Sequence, residues 1–229
     1  MKKIRILCLA VLGLALFSAC HDNTGTYADN LYTNGQKANA IKTCLESSLD
    51  TAVTYLCKAD GFSAYKDGIY KIDFASNQAM IDTLAAHGHG NLTDSLVVFT
   101  NGMAESCYSV AKTAFSDAIT NLVVYDYDEL IKGESPAITN YFAKMQKSTV
   151  CEAMRSQVAI RMGIFKVNDV WDEMVGTYYT ITGKPVSFDV QSYILDKMVD
   201  GILEEMRCEE YLIRTDSTHR VEDNRLLGE

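Results

Sequence analysis

Apolar residues recur every three or four positions along most of the chain, and the breaks in that recurrence mark where helices should begin and end. Ile41, Cys44, Leu45, Leu49, Ala52, Val53 and Leu56 form a first stripe, closed by Asp60-Gly61. Met80, Ile81 and Leu84 form a shorter one behind Ser76, and it stops at Gly88. Leu92, Leu96, Phe99, Met103, Cys107, Val110, Ala114, Ala118 and Leu122 keep the same period behind Thr93, which predicts one helix of up to about 30 residues. A short acidic helix is expected from Asp126 to Lys132, closed by Gly133. Ser135-Pro136 reads as the next start, with serine as N-cap and proline at the first helical position. That helix carries Ile138, Tyr141, Phe142, Met145, Met154 and Val158 and stops at Gly163. Asn168 or Asp169 is placed to cap a segment bearing Trp171, Met174, Val175 and Tyr178; residues 179–188, with Gly183 and Pro185, read as a loop. Asp189 caps a last long helix striped by Ile194, Met198, Ile202, Met206 and Ile213. With 2 prolines in the whole chain and no convincing run of alternating residues, the expected fold is all-α, a single irregular helical bundle of about six to seven helices.

The beginning of the chain follows a different rule. Lys2, Lys3 and Arg5 precede an apolar run from Ile6 to Phe17 that ends in Phe17-Ser18-Ala19-Cys20, the layout of a bacterial lipoprotein signal. The run is too short to remain as a membrane span, which needs roughly 20 apolar residues. Residues 1–19 are therefore expected to be a signal peptide. Residues 20–35, polar and rich in Asn, Thr and Gly after the lipidated Cys20, are expected to be a flexible tether, and residues 36–229 a single all-α domain. Acyl chains of the palmitate type on Cys20 suffice as an anchor, since each buried methylene contributes about 0.8 kcal/mol. Sorting depends on the residues just after that cysteine, here His21 and Asp22, whose meaning differs among bacteria; the expected location is the outer membrane, periplasmic side.

Charge narrows the partners. Losing the three positive charges of residues 1–19 takes the formal net charge from −9 to −12, which repels nucleic acid and anionic headgroups. Membrane attachment is thus assigned to the acyl chains, and the remaining expected partner is an envelope protein. Of 7 cysteines, Cys8 leaves with the signal and Cys20 carries lipid. Cys44, Cys57, Cys107, Cys151 and Cys208 have no spacing of a zinc or redox motif and read as small buried hydrophobes. No HExxH, GxSxG, Walker A or GxGxxG string occurs, so no metal and no cofactor is expected.

Several strings together resemble one family. They are Asp60-Gly61-Phe62, the NGMAE string of Asn101 to Glu105 followed by Phe115 to Ile119, Gly133 through Ala137 with Thr139, Tyr141 and Phe142, and Tyr193 to Gly201. The tail adds Glu209, Glu210, Ile213, Arg214, Asp216 and Arg220. From about residue 38 to 227 the chain resembles the bacterial lipoprotein family known as domain of unknown function 4197. Ser217 stands where the family usually has proline, the usual proline near Phe74 is missing, and the aromatic ending is reduced to Leu226-Leu227-Gly228-Glu229. The resemblance implies a fold and no reaction.

The chemistry-bearing candidates are Asn101, Glu105, Glu209, Glu210, Arg214 and Arg220. Asn101 and Glu105 lie four residues apart on one helix face, either as a buried acid, base or ligand anchor or as a polar clamp between helices, which is the expected role. Glu210 and Arg214 are spaced for an i, i+4 ion pair, with Glu209 beside them, and are expected to pin the tail and Arg220 to the bundle. His87 and His89 offer two imidazoles to a metal but no third ligand stands at a definite spacing, and Gly88 and Gly90 read as helix-stop and turn residues; Tyr178-Tyr179 beside Trp171 reads as a cap on the core. Three functions follow: a non-catalytic helical binding or interaction module, an enzyme using Glu105 with charged residues of the last helix, or a carrier of lipid or apolar ligands.

Overall fold

The computed structural model describes residues 32–228, so the signal, Cys20 and most of the expected tether lie outside the described residues. Asn34–Glu229 forms one compact unit. Among the described residues there are nine α-helices and four 3-10 turns, and no strand. The helices are α1 (Asn34–Leu56), α2 (Gly61–Ala64), α3 (Gln78–Ala86), α4 (Gly90–Glu105), α5 (Tyr108–Thr120), α6 (Tyr127–Lys132), α7 (Ala137–Ile164), α8 (Val167–Thr182) and α9 (Val190–Thr215). None is long and apolar enough to cross a membrane.

The first stripe is wider than a surface helix needs. Ala40, Ile41, Cys44, Leu45, Ser48, Leu49, Ala52, Val53 and Leu56 are all fully buried, because α1 is enclosed by α5, α6, α9 and the C-terminal turn. The long helices α7 and α9 pack on each other, and α4 lies against α8 and α3. The all-α reading therefore holds, with more helices than the six or seven expected.

One extra helix is the single turn α2. The other comes from a break in the long stripe from Leu92 to Leu122. The apolar period does run unbroken, with Met103, Cys107, Ala111 and Ala114 all buried, but the backbone ladder does not. In a continuous helix the Met103 carbonyl would receive the Cys107 N–H. Instead the Ser106 hydroxyl donates to that carbonyl at 2.6 Å and the Cys107 thiol approaches it at 3.3 Å, while the Cys107 N–H turns to the Ala104 carbonyl at 3.0 Å. Side chains that compete for backbone acceptors interrupt a helix without altering its stripe.

Other boundaries shift for local reasons. α1 begins at Asn34, inside the segment expected to be tether. Lys166, at φ 59°, takes the N-cap of α8 ahead of Asn168 and Asp169, and Gly183, at φ 68°, ends α8 with its N–H on the Tyr179 carbonyl at 2.7 Å. Asp126 and Asp189 cap α6 and α9 through the Glu129 and Ser192 N–H groups, both at 2.9 Å. Leu49 is fully buried on the central helix, so Leu49→Ala is expected to cost about 2–5 kcal/mol, read as a lowered urea midpoint with unchanged m-value.

Candidate functional site

An α-helix leaves its first N–H groups and last C=O groups without partners, and the residues singled out above answer that need at long range. Ser135 was expected to cap α7 from the adjacent position. It does not: Pro136 occupies the N-cap, Ala137 begins the helix, and the buried Ser135 hydroxyl finds no partner among the described residues. The cap comes from α9. Glu210, fully buried, accepts the Ile138 N–H at 3.1 Å and the Thr139 N–H at 2.7 Å. A carboxylate there also meets the positive end of the helix dipole. Arg214 donates from Nε to Glu210 at 3.0 Å and spreads its other nitrogens over the Ile131 and Leu130 carbonyls at the end of α6, both at 2.9 Å. Arg220 does the same for α9, donating to the Ile213 carbonyl at 2.7 Å and the Arg214 carbonyl at 2.9 Å.

Glu105, the last residue of α4, repeats the device. It accepts the Asp60 N–H at 3.2 Å, the Ser63 N–H at 3.0 Å and the Ser63 hydroxyl at 2.8 Å, holding the first turn of α2. Asp60 there is left-handed at φ 62°, and at Gly61 a Cβ would stand 2.1 Å from the Leu56 carbonyl oxygen. Asn101, buried, both accepts the Ile72 N–H and donates to the Ile72 carbonyl at 2.9 Å, pairing with that loop residue as a neighbouring strand would. Glu209 bonds His219 Nδ1 at 2.8 Å. The six candidates thus divide into two sets: Asn101 and Glu105 hold the segment around residues 60–72, while Glu209, Glu210, Arg214 and Arg220 hold the start of α7, the end of α6 and the tail.

His87 Nδ1 lies 2.8 Å from the Thr83 carbonyl at the end of α3. No group of three or more His, Cys, Asp or Glu among the described residues is placed to hold a metal ion. All five described cysteines are free thiols. Burial is the main force raising their pKa values, to about 12 at Cys57 and about 11 at Cys151, which keeps them protonated and weakly nucleophilic.

A seventh polar residue escaped the sequence reading. Glu205 on α9 is buried and accepts from the hydroxyls of Tyr65 at 3.0 Å and Tyr70 at 2.5 Å and from Lys66 Nζ at 2.6 Å. Desolvation first, and the adjacent carboxylate second, raise both tyrosine pKa values, so the phenols remain donors. Tyr55, Tyr65 and Tyr70 stack in sequence, with centroids 5.1 and 6.0 Å apart. The available signal was Glu205 itself, an acidic residue three positions after Ile202 and one before Met206, inside the apolar stripe of α9.

A shallow open groove also runs between α5 and α7, lined by Ser109, Thr113, Asp117, Ala153, Gln157 and Arg161. The fold and these sites define an all-α bundle whose inward-facing charges close helix ends. The chain belongs to the family described as Protein of unknown function (DUF4197), whose model matches residues 31–227. No curated protein and no solved structure matches it.

Two predictions separate these roles. Glu210→Ala strands Arg214 and two buried N–H groups and is expected to cost about 3–5 kcal/mol, against about 0.5–2 kcal/mol for the partly exposed cap lost in Glu105→Ala, both by urea denaturation. The hydrogen bond to Glu209 holds the His219 pKa above its ordinary value, against a smaller opposing effect of desolvation. The resulting stabilisation is fully present below the unfolded histidine value of about 6.5 and is lost as pH rises through the higher folded value. The stability gap between wild type and His219→Gln is therefore expected to be widest near pH 5 and to narrow by about pH 8, read from urea midpoints across that range.

Proposed function

We propose that this chain is an envelope lipoprotein acting as a non-catalytic helical binding or interaction module. In this reading it is exported, anchored through acyl chains on Cys20, and faces the periplasm from the outer membrane. The observation that carries the non-catalytic part is the use made of the candidate acid and base groups. Glu105, Glu210, Arg214 and Arg220 direct their polar atoms at helix ends, an arrangement suited to holding a shape and poorly suited to accepting a substrate. Contact area for a partner is supplied by apolar side chains left outside the core, among them Val98 at 65 %, Ile160 at 55 % and Ile164 at 70 % exposure.

Native mass spectrometry of the lipidated protein, released gently from its own membrane, tests the reading. The expected spectrum contains an acylated chain beginning at Cys20 together with a co-purifying protein, and the complex survives Glu105→Ala. A reproducible small-molecule adduct abolished by Glu105→Ala would overturn the module in favour of an enzyme or carrier, and an unacylated amino terminus would overturn the anchor.

A further inference from the structure

Glu205 lies beneath one surface segment and meets three of its side chains, Tyr65, Lys66 and Tyr70. Its side chain is 5 % exposed, whereas that of Lys66, which reaches it at 2.6 Å, is 37 % exposed. The Lys66 ammonium also lies 5.2 Å from the Tyr65 ring centroid and 5.8 Å from that of Tyr70, inside the range of a cation–π contact. A buried carboxylate below and aromatic faces beside it are the means by which proteins hold organic ammonium groups. Here the chain's own lysine occupies them.

The backbone that delivers this lysine is left-handed at three consecutive residues, Lys66 at φ 50°, Asp67 at φ 61° and Gly68 at φ 76°. Only glycine adopts that region without penalty, so Lys66 and Asp67 hold a disfavoured conformation in the loop that makes the contact with Glu205. The tip then presents exposed Asp67 and Ile69, the latter 67 % exposed, to solvent. If one ammonium leaves and another arrives, the buried carboxylate keeps its counter-charge and the loop is released from a disfavoured conformation.

We propose that Glu205, Tyr65 and Tyr70 form a primary-ammonium site, self-occupied by Lys66 in the free protein, in which a lysine side chain of a cationic partner protein replaces Lys66 on docking at the 66–69 loop. The proposal rests on the interaction-module reading and names its recognition chemistry. The formal charge of −12 without residues 1–19 favours a cationic partner, and Asp67 and Ile69 offer an acidic and an apolar contact beside the entering lysine.

The test uses the chain from Cys20 to Glu229 and NMR of the Tyr65 and Tyr70 ring signals. Ethylammonium chloride is expected to shift both rings saturably, with an apparent Kd roughly tenfold or more tighter in Lys66→Ala than in wild type, because the tethered competitor is gone. Adding Glu205→Gln to that variant is expected to abolish the shift, and sodium chloride at equal ionic strength to leave it absent. A short basic peptide carrying lysine is expected to move the rings of the wild-type protein, and the same peptide with acetyl-lysine is not. A folded Lys66→Ala protein with no saturable ring shift would overturn the site. Should that variant unfold, the wild-type peptide titration decides: equal responses to lysine and acetyl-lysine, or none to either, overturn the exchange. Such a failure would leave a co-purifying partner in the membrane-release experiment standing, so the two readings fail separately.

Discussion

The Glu210 carboxylate is the joint on which the bundle turns. A fully buried charge is tolerable only where its attraction to a partner and its hydrogen bonds repay desolvation, and Glu210 has both: two N–H groups opening α7 and the Arg214 guanidinium. Arg214 carries the linkage to the carbonyls that close α6. Its own carbonyl is held by Arg220, and Gly228 lies so close to that guanidinium that a Cβ would meet it at 1.9 Å. One ion pair therefore serves the start of α7 and the end of α6, and Arg220 beside it serves the end of α9 and the C-terminal turn. The same electrostatics keep the Cys44 thiol neutral, since burial and then the nearby Glu210 both oppose its ionisation.

A second assembly of the same kind frames residues 60–72. Glu105 fixes the entrance at Asp60 and Ser63, Asn101 fixes the exit at Ile72, and Glu205 holds the middle through Tyr65, Lys66 and Tyr70. Irregular backbone normally lacks partners for its polar groups; here Glu105 and Asn101 of α4 supply them, while Glu205 of α9 bonds the loop's side chains. The consequence is a loop with left-handed residues displayed at the surface on a rigid base.

Apolar periodicity and the few strong stop signals determined the all-α class and the stripes of the first and last helices: the stripe positions from Ile41 to Leu56 and from Ile194 to Ile213 are buried as their spacing requires, whereas Met145 of the α7 stripe is exposed. Asp189 was legible as a cap because a cap of that kind acts within three residues of its own position. The position of Asn101 and Glu105 on one face, and the i, i+4 pairing of Glu210 with Arg214, were legible for the same reason. What lay beyond reach was every partner distant in the chain. The break at Cys107 leaves no trace in the stripe, since hydroxyl and thiol competition for one carbonyl depends on backbone geometry. The cap on α7 comes from 72 residues away and displaces the serine beside it. Glu205 meets Lys66 across 139 positions. Local hydrogen bonding and burial period are properties of short windows of sequence and could be read there; the pairing of a buried charge is decided only when packing brings a distant helix end within about 3 Å of it.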